Sequence, residues 1–460
     1  MNTFYRISSR RPDKSCSPAS VLASVVWLTL VLGPAGVHAA DTFPTTPEVP
    51  ADSVGEYESV ISTPNEPSGE LLLSDALALA IRHNPTLKAV SLEVRVQEAQ
   101  ALQAGLRPNP ELQLELADFG GSGTRRSLHG AETTLQLGQL IERADKRRKR
   151  LEVADFAREV AQSEFDVQRQ AVMLLATEAF VGVLHAQEQR VLAEQLCQTC
   201  SNLEEAVGQR VAAGKDPEIE LIRAKILVAE ADIRARRSAS DLEESRLLLA
   251  STWGGTEARF ERAVGRFREV YDVPDRQTLV HRLADNPRLL RWAHEKSRRR
   301  AQLDLERARA VSDIELGAGV RRFEDGDDTA FIVGLTIPLP LFDRNQAGIQ
   351  EASVRHAQAI QQARAEEIRV RTELLRNVEE LSRALSEIRV LETQVLPASQ
   401  QALESIQLGY RDGKFDYLHA LDTQRTTFDS RSRYIDVLRD YHSIRANIEC
   451  MLGQSLDSLK

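Results

Sequence analysis

The feature that most constrains this chain is an internal repeat. The segment Leu77–Leu87 has a counterpart in Leu279–Leu289, 202 residues later, and both contain an Asn-Pro pair near their end. Near the end of each copy, Gly214-Lys215 corresponds to Gly413-Lys414, 199 residues later. Because the offset drifts so little over the whole unit, we interpret the chain as one structural unit written twice rather than as several unrelated domains.

The composition favours long helices over compact cores. The 460 residues include 28% charged but only 5% aromatic side chains, which is typical of helices that pack along narrow apolar seams. A net charge of −9 argues against binding to nucleic acid, so no such partner is expected. A mean hydropathy of −0.33 without a mature apolar run of about 20 residues excludes a helical membrane protein. A β-barrel stays possible, because its hydropathy signal is weak.

The N-terminal residues have the pattern of an export signal. A basic region precedes an apolar stretch from Ala19 to Leu32, and Val37-His38-Ala39 provides the small or aliphatic positions that signal peptidase recognises. We therefore expect a cleaved signal peptide over residues 1–39. The following residues, 40–69, contain five prolines among Ser, Thr and Glu, which predicts an extended leader.

Each copy contains the same series of elements. Apolar periodicity predicts a helix from Ser74 to about Arg107, a strand hairpin, a very long helix, a tight turn and a final helix, and the second copy repeats this order. The four expected strands cover residues 111–119, 131–141, 313–321 and 330–339, and the long helices cover 145–212 and 345–410. The first copy then occupies residues 70–255, a linker 256–276, and the second copy 277–455.

Single residues are expected to delimit these helices. Gly214 and Gly413 should end the long helices, because glycine adopts the left-handed conformation found after helix C-termini. Asp216 and Asp416 should cap the helices that follow. Pro397 should kink the second long helix.

The number of strands bears on the membrane question. Each strand has about ten residues, which suits a tilted bilayer crossing, but four strands cannot close a barrel and open edges cannot lie in lipid. We therefore expect a mainly α fold with a small β part, in which an internally duplicated coiled-coil tunnel continues a trimeric 12-stranded β-barrel. A soluble protein with two hairpins at one end of a coiled coil is the alternative.

Several segments resemble the TolC-type outer-membrane efflux proteins, over about residues 70–455. Leu77–Leu87 with its echo, Val211–Gly214 and Leu341–Gln346 are similar to recurrent segments of that family. The stretches Gln103–Leu112 and Glu132–Leu137 resemble more specifically the outer-membrane subunit of cobalt–zinc–cadmium-type heavy-metal efflux systems. One departure is Ile141–Lys146, where such proteins usually have a Gly-Gly-Lys turn.

The resemblance implies a passive exit duct, without catalytic residues or a cofactor. It implies a homotrimer in the outer membrane of a Gram-negative bacterium, in contact with lipid and extending into the periplasm. A periplasmic adaptor would connect it to a proton-driven inner-membrane pump of the RND class, and the substrates would be divalent metal cations. The alternatives are a drug or type I protein secretion duct of the same fold, and a soluble periplasmic coiled-coil adaptor.

The two helix–helix turns are the candidate functional sites, because all four strands lie at the opposite end of the long helices. The second turn provides candidates for a periplasmic gate: Tyr410, Arg411, Asp412, Lys414 and Asp416. Under threefold symmetry its aspartates would form carboxylate rings that narrow the mouth and attract cations. The alternative is that they only cap a helix and line a solvated turn. The first turn provides candidates for adaptor docking, together with one glycine of the second: Arg210, Gly214, Lys215, Asp216 and Gly413.

The other motifs add no chemical function. Cys197 and Cys200 are spaced as in a metal site, but no further His or Cys lies nearby, so we interpret them as packed seam residues and expect no bound metal. The basic run Lys146–Arg150 is either a collar that faces lipid phosphates or a solvated helix face. The sequence contains no nucleophile elbow and no phosphate-binding loop, so an enzyme is the least favoured class.

Overall fold

The computed structural model describes residues 66–126, 128 and 130–459. The expected signal peptide and most of the expected leader therefore lie outside the described residues. The first half contains β1 (Gly69–Leu72), α1 (Leu73–His83), α2 (Pro85–Ala104), β2 (Glu111–Ala117), β3 (Glu132–Ile141), α3 (Lys146–Ala212) and α4 (Glu218–Ser251). The second half contains β4 (Phe260–Val264), α5 (Arg276–Arg282), α6 (Pro287–Arg309), β5 (Ile314–Phe323), β6 (Asp328–Thr336), α7 (Gln346–Val390), α8 (Leu396–Arg411) and α9 (Tyr417–Leu452).

The first helix of each copy is interrupted at its Asn-Pro pair, which corrects the expectation of one helix from Ser74 to Arg107. Proline lacks a backbone N–H and is favoured at the first position of a new helix. Asn84 caps α2, and its Nδ2 donates to the carbonyl of Thr252 at 2.8 Å. Asn286 makes the matching bond to the carbonyl of Met451 at 2.7 Å. The repeated Asn-Pro pair thus ties the start of each copy to the end of its last helix.

The second long helix changes its geometry near Pro397. A π-helical stretch, Leu391–Val395, separates α7 from α8, and the proline lies in the first turn of α8. A proline inside a helix removes one backbone hydrogen bond, and the wider turn accommodates this loss. The irregularity lies where the sequence predicts a kink.

Strands β2, β3, β5 and β6 form one antiparallel sheet, in that order. The pairing places Leu114, Leu135, Val320 and Phe331 in one row across the four strands, so these apolar side chains share a face. This face is open to the surroundings, since Phe331 is 88% exposed. The opposite face carries mainly polar and small residues, among them Gln113, Gln136, Gly319 and Arg321. The sheet therefore has one apolar and one polar face, with β2 and β6 as its outer strands.

The strand ends differ from the expectation by a few residues. β2 stops at Ala117 rather than at 119, because Asp118 has a φ of 60° and leaves the ladder. The second hairpin is tighter than expected, since Phe323 pairs with Asp328 across a short turn. β6 ends at Thr336, before the prolines that follow it.

A small parallel pair, β1 with β4, is absent from the sequence expectation. Its first strand begins in the expected leader, and its second lies in the expected linker between the copies. Both strands are short and far apart in the chain, so no local pattern indicates that they pair. The end of the expected leader and part of the expected linker thus form a second, two-stranded sheet.

The helices pack in an order that changes along α3. Near the sheet, α2 packs on α3, α3 on α6, and α6 on α7; farther away, α4 packs on α3, α3 on α9, and α9 on α8. Helix α3 has 67 residues, or about 100 Å at 1.5 Å per residue, so it is long enough to pack with both groups of helices. Two lateral edges result. The first lateral edge consists of β2, α2 and α4, and the second lateral edge consists of β6, α7 and α8.

The largest group of buried apolar side chains surrounds the middle of α3, where Phe180 and Val183 pack with residues of α4, α7 and α9. Among the described residues, α3 is also long and apolar enough to cross a membrane by length and composition, with a window of mean hydropathy 1.2. A core helix passes the same test, and part of that window is buried within the chain. The window therefore carries no membrane assignment.

Each strand-to-helix joint passes through left-handed backbone. Ala144 and Asp145 before α3 have φ of 55° and 57°, and Asn345 before α7 has a φ of 57°. Asparagine and aspartate tolerate this region, whereas alanine is strained in it by about 1 kcal/mol. The segment Ile141–Lys146 thus keeps the backbone of a glycine turn without glycine.

Replacing Ala144 with glycine is expected to stabilise the chain by about 1 kcal/mol, because glycine removes the strain at this positive φ. The midpoint of thermal unfolding, followed by circular dichroism, should rise. Ala154→Gly within α3 is the matched control and should lower the midpoint, since glycine in a helix costs about 1 kcal/mol relative to alanine. Shifts of the same sign in both variants would contradict the strain argument.

Candidate functional site

The turns that follow α3 and α8 have the same backbone. Gly214 and Gly413 adopt φ of 71° and 77°, in the left-handed region that glycine favours. In each turn the residue after the glycine donates its N–H to a carbonyl of the last helical turn, at 2.9 Å for Lys215 and 2.7 Å for Lys414. The two glycines follow the ends of the helices, and the internal repeat extends to the hydrogen bonds of its turns.

A network of Arg210, Asp216 and Tyr410 joins the two turns. The Arg210 guanidinium donates to both carboxylate oxygens of Asp216, at 2.7 Å from Nε and 2.8 Å from Nη2. It also donates to the backbone carbonyl of Tyr410 at 3.0 Å, and its Cζ lies 5.0 Å from the centre of the Tyr410 ring. The Tyr410 hydroxyl donates to Asp216 at 3.0 Å. The Arg210 side chain thus binds Asp216 of the first copy and Tyr410 of the second copy.

This network is shielded from solvent. Tyr410 is 1% exposed, and the side chains of Arg210 and Asp216 are 17% and 11% exposed. Tyr410 packs with Val207 and Tyr417 in a small apolar cluster below the turns. A shielded, bidentate Arg–carboxylate pair is stronger than a pair in open solvent. The network therefore fixes the two turns relative to each other.

Asp216 does not act as the helix cap that the sequence predicts. Helix α4 begins after Pro217 without a side-chain capping bond, because both Asp216 oxygens accept from Arg210. Asp416 does cap α9: its Oδ1 accepts from the N–H of His419 at 3.0 Å, and the His419 Nδ1 lies 2.6 Å away. The aspartates of the two turns thus have different partners.

The other candidates lie on the outside of the turns. Lys414 and Asp412 form an ion pair of 3.2 Å whose side chains are 72% and 61% exposed, so it adds little to stability. Gly413 instead faces the network, since a Cβ there would lie 3.3 Å from Nη1 of Arg210. The remaining exposed candidates are Gly214, Lys215 and Arg411.

The charges of the network shift the ionisation of its neighbours. The Arg210 guanidinium lowers the pKa of the Asp216 carboxyl below its ordinary value of 3.8. Burial raises the pKa of the Glu220 carboxyl above its ordinary value of 4.5, and repulsion from Asp216 and Asp416 acts in the same direction. Burial also raises the pKa of the Tyr410 hydroxyl, so it stays a donor. On acidification, Glu220 therefore takes up its proton before Asp216 does.

We expect the turns to lose stability as the pH rises through the raised pKa of Glu220. A carboxyl group that holds its proton more tightly in the folded state contributes fully below the unfolded pKa of 4.5 and loses that contribution at higher pH. Asp216 has the opposite sign: its contribution is complete above 3.8 and is lost as the pH falls through its lowered pKa. The midpoint of thermal unfolding, measured from about pH 4 to pH 8, should therefore fall as Glu220 loses its proton.

Glu220→Gln removes the titrating group and should flatten this pH dependence. Glu218→Gln removes the same charge from an exposed position in the same helical turn, and it should keep the wild-type profile. If Glu220→Gln keeps the wild-type pH dependence of thermal unfolding, another group controls the stability of the turns.

Sequence reasoning missed three residues of this site: Glu220, His419 and Phe415. The first two follow Asp216 and Asp416 at the i+4 and i+3 spacings that bring helical side chains together, so spacing could have found them. The third packs its ring against Gly409, where a side chain would collide with it. Glycine in a helix usually signals flexibility, so the sequence does not reveal this contact.

The basic run Lys146–Arg150 is engaged within the chain. Lys146 is buried and pairs with Asp313 at 2.8 Å, and Arg150 pairs with Glu142. The run therefore fastens the start of α3 to neighbouring elements, and neither a free lipid collar nor a purely solvated face describes it. The partners of the other three residues are the carbonyl of Gly105 for Arg147, Asp145 for Arg148, and the carbonyl of Asp304 for Lys149.

Among the described residues, Cys197, Cys200 and Cys450 are free thiols; Cys200 is buried and the other two are half-buried. Gln424 donates to Sγ of the buried Cys200 at 3.0 Å, and burial raises the pKa of this thiol to about 11. Burial raises the pKa of Cys450 to about 11 as well. Within the part of the chain that the structure describes, no group of three or more His, Cys, Asp or Glu side chains is arranged to hold a metal ion. We therefore interpret Cys200, which is buried, and Cys450, which is half-buried, as packed residues of the interior.

Comparison with known sequences decides the family. The profile described as "Outer membrane efflux protein" matches residues 76–255 and 279–454. The chain belongs to this family. The cobalt-zinc-cadmium resistance protein CzcC of Cupriavidus metallidurans is 32% identical over 391 residues, which are 85% of this chain and 92% of that protein. The nickel-cobalt-cadmium resistance protein NccC of Alcaligenes xylosoxydans xylosoxydans is 29% identical over 314 residues, which are 67% of this chain and 69% of that protein.

Solved structures share the fold at low sequence identity. A membrane protein from Pseudomonas aeruginosa has a TM-score of 0.73 at 19% identity, and the match covers 84% of this chain and 91% of that one. CusC has a TM-score of 0.71 at 16% identity, covering 83% of this chain and 92% of its own. The expectation of a mainly α fold with a small β part is confirmed.

Membership of an outer-membrane efflux family settles the class of function. The protein is an efflux channel of the outer membrane and not an enzyme, as the sequence predicts. The alternative of a soluble periplasmic adaptor is therefore wrong. The two strand hairpins of this chain belong to a channel subunit rather than to a soluble coiled coil.

Proposed function

We propose that this protein is the exit duct of a tripartite efflux system for divalent heavy-metal cations. A periplasmic adaptor connects the duct to a proton-driven inner-membrane pump of the RND class, and the duct itself is passive. The observation that carries the metal assignment is the 32% identity to a cobalt-zinc-cadmium resistance protein over 85% of the chain. The proposal includes export by a cleaved signal peptide over residues 1–39 in a Gram-negative bacterium, with extension into the periplasm.

The outer strands of the sheet support a homotrimer. Among the described residues, β2 and β6 each pair on one side only, and unpaired backbone groups are costly in lipid. The apolar face of the sheet suits lipid, and the polar face suits a water-filled lumen. Because β2 and β6 lie on opposite lateral edges, β6 of one copy can pair with β2 of the next. Three copies then give twelve strands in a closed ring.

The helix–helix turns support a gate at the end of the duct far from the sheet. The Arg210–Asp216–Tyr410 network would hold the closed arrangement, because it joins the turns that the two long helices carry. The exposed charges of the second turn would line the mouth, where carboxylates attract cations. These residues are Arg411, Asp412, Lys414 and Asp416. The exposed part of the first turn, Gly214 and Lys215, with Gly413 beside it, would receive the adaptor.

A strain that lacks the gene tests the cargo. We expect deletion to lower the tolerance for cobalt, zinc and cadmium salts, to leave the tolerance for drugs unchanged, and to be reversed by a plasmid-borne copy. Minimum inhibitory concentrations measure both. Unchanged metal tolerance would overturn the metal assignment. A simultaneous loss of drug tolerance would indicate a drug duct, and a loss of secreted protein a type I secretion duct.

A further inference from the structure

A cavity of about 760 Å³ lies beside the connection from α2 to β2, two elements of the first lateral edge. Its walls are the residues before β2, the end of β3 and the start of α3. Leu140 and Leu151 give it an apolar surface, and Arg107 and Arg147 give it a cationic rim. A side chain that combines an apolar body with a nearby negative charge would suit it. We call this cavity the joint pocket.

The two arginines of the joint pocket have no carboxylate partner among the described residues. Arg107 makes no hydrogen bond or ion pair there, and Arg147 donates only to the neutral carbonyl of Gly105, at 2.6 Å. The acidic residues of the pocket are already engaged, since Glu142 pairs with Arg150 and Asp145 pairs with Arg148. The pocket therefore presents two positive charges that an external anion can neutralise.

The complementary chemistry lies on the second lateral edge, in the loop between β6 and α7. Phe342 is 91% exposed and Leu341 is 66% exposed, which is unusual for large apolar side chains. The next residue, Asp343, accepts a hydrogen bond from the backbone of Asn345 and has no cationic partner among the described residues. An exposed aromatic ring and an uncompensated carboxylate thus stand side by side.

Both features lie at the same level of the sheet. Glu111 at the start of β2 belongs to one cross-strand row with Gly138, Gly317 and Gly334 of β6. The joint pocket is built around the residues just before Glu111, and the loop with Phe342 begins just after the end of β6. When β6 of one copy pairs with β2 of the next, the loop and the pocket are brought to the same seam.

We propose that Phe342 and Asp343 of one copy occupy the joint pocket of the next copy. The ring packs on Leu140 and Leu151, and the carboxylate pairs with Arg107 and Arg147. The contact lies at the end of the strand seam and links the helical part of one copy to the sheet of its neighbour. The contact is heterologous, because it joins different surfaces of the two copies, and such contacts can close a ring. The inference rests on the homotrimer of the proposed function and identifies the anchor of its interface.

A charge exchange tests the pairing. Arg107→Glu and Asp343→Arg should each lower the yield of trimer by about tenfold in native mass measurements of detergent-extracted protein, because each leaves like charges facing each other. The double variant should recover most of the trimer. Arg126→Glu reverses a charge in the hairpin turn at the other end of β2 and β3, and it should behave as the wild type. Loss of trimer in the single variants without recovery in the double variant would overturn the pairing.

A second variant tests the aromatic anchor without a change of charge. Phe342→Ser alters a side chain that is almost fully exposed in the single chain, so the chain should keep its helical circular dichroism while trimer is lost. Trimer that survives Phe342→Ser and the charge reversals would overturn the inference and leave the proposed function intact. Co-purification of an Arg107-dependent anionic lipid with such trimers would assign the pocket to lipid. A wild-type chain that is never trimeric would instead contradict the proposed function.

Discussion

Replacing Gly319 with alanine is expected to prevent correct assembly of the four-stranded sheet. A Cβ at this position of β5 would collide with the carbonyl oxygen of Leu135 and would lie 2.8 Å from Cα of Gln136, both backbone atoms of β3. Backbone cannot move aside without separating the two strands. Overpacking of this kind costs about 3 kcal/mol. We expect the amount of assembled protein in outer-membrane fractions to fall to a small part of the wild-type level.

Gly334→Ala is the matched control for this variant. Gly334 lies in β6 on the same polar face, but a Cβ there would come no closer than 3.5 Å to Gln136, an ordinary contact distance. Its assembly should resemble that of the wild type. If the two alanine variants accumulate equally, the close approach of β3 to β5 is not needed for assembly.

Replacing Asp216 with alanine is expected to loosen the turns at the far end of the long helices. The change removes the bidentate partner of Arg210 and the acceptor of the Tyr410 hydroxyl, and it leaves a shielded guanidinium without its carboxylate. Loss of such charge-assisted bonds costs about 2 kcal/mol, or about thirtyfold in the equilibrium between closed and open turns. Under the proposed gate, the conductance of single channels in planar bilayers should rise.

Asp412→Ala is the control for the Asp216 variant. It removes an aspartate of the neighbouring turn whose ion pair with Lys414 is largely exposed, so the closed state should lose less than about 1 kcal/mol. Conductance should then not rise, although the loss of a carboxylate at the mouth should weaken the attraction of the channel for cations. An equal rise in both variants would mean that charge at the mouth, rather than the network, keeps the channel closed.

The order of helices and hairpin strands could be predicted because it depends on interactions within a few residues. Gly214 and Gly413 end their helices through the left-handed conformation, and Asp416 caps α9 through a bond three residues away. The fold class and family follow as well, since the repeat and its motifs cover most of the chain. The helix break at Asn84-Pro85 also depends on neighbouring residues only, but apolar periodicity runs through it and predicts a single helix.

Asp216 shows where prediction from sequence stops. As an aspartate before a proline at a helix start it has the local features of a cap, yet its carboxylate accepts from Arg210 and from Tyr410, which is 194 residues away. Local propensity for a cap is worth about 1 kcal/mol, and a shielded bidentate ion pair with a second donor exceeds it. The candidate residues lie in the two turns or in the last helical turns before them, and their contacts show no division between two separate sites.

By itself, the sequence determined that this protein is a duplicated, mainly α channel subunit with two strand hairpins, because periodicity, turn glycines and motifs act locally and leave a pattern in the chain. Only the tertiary structure decided which strands became the outer ones, that β1 pairs with β4, and that the basic run is fastened to Asp313 and Glu142. Those outcomes depend on residues brought together across long separations. Their energies come from burial and pairing, which no single segment encodes.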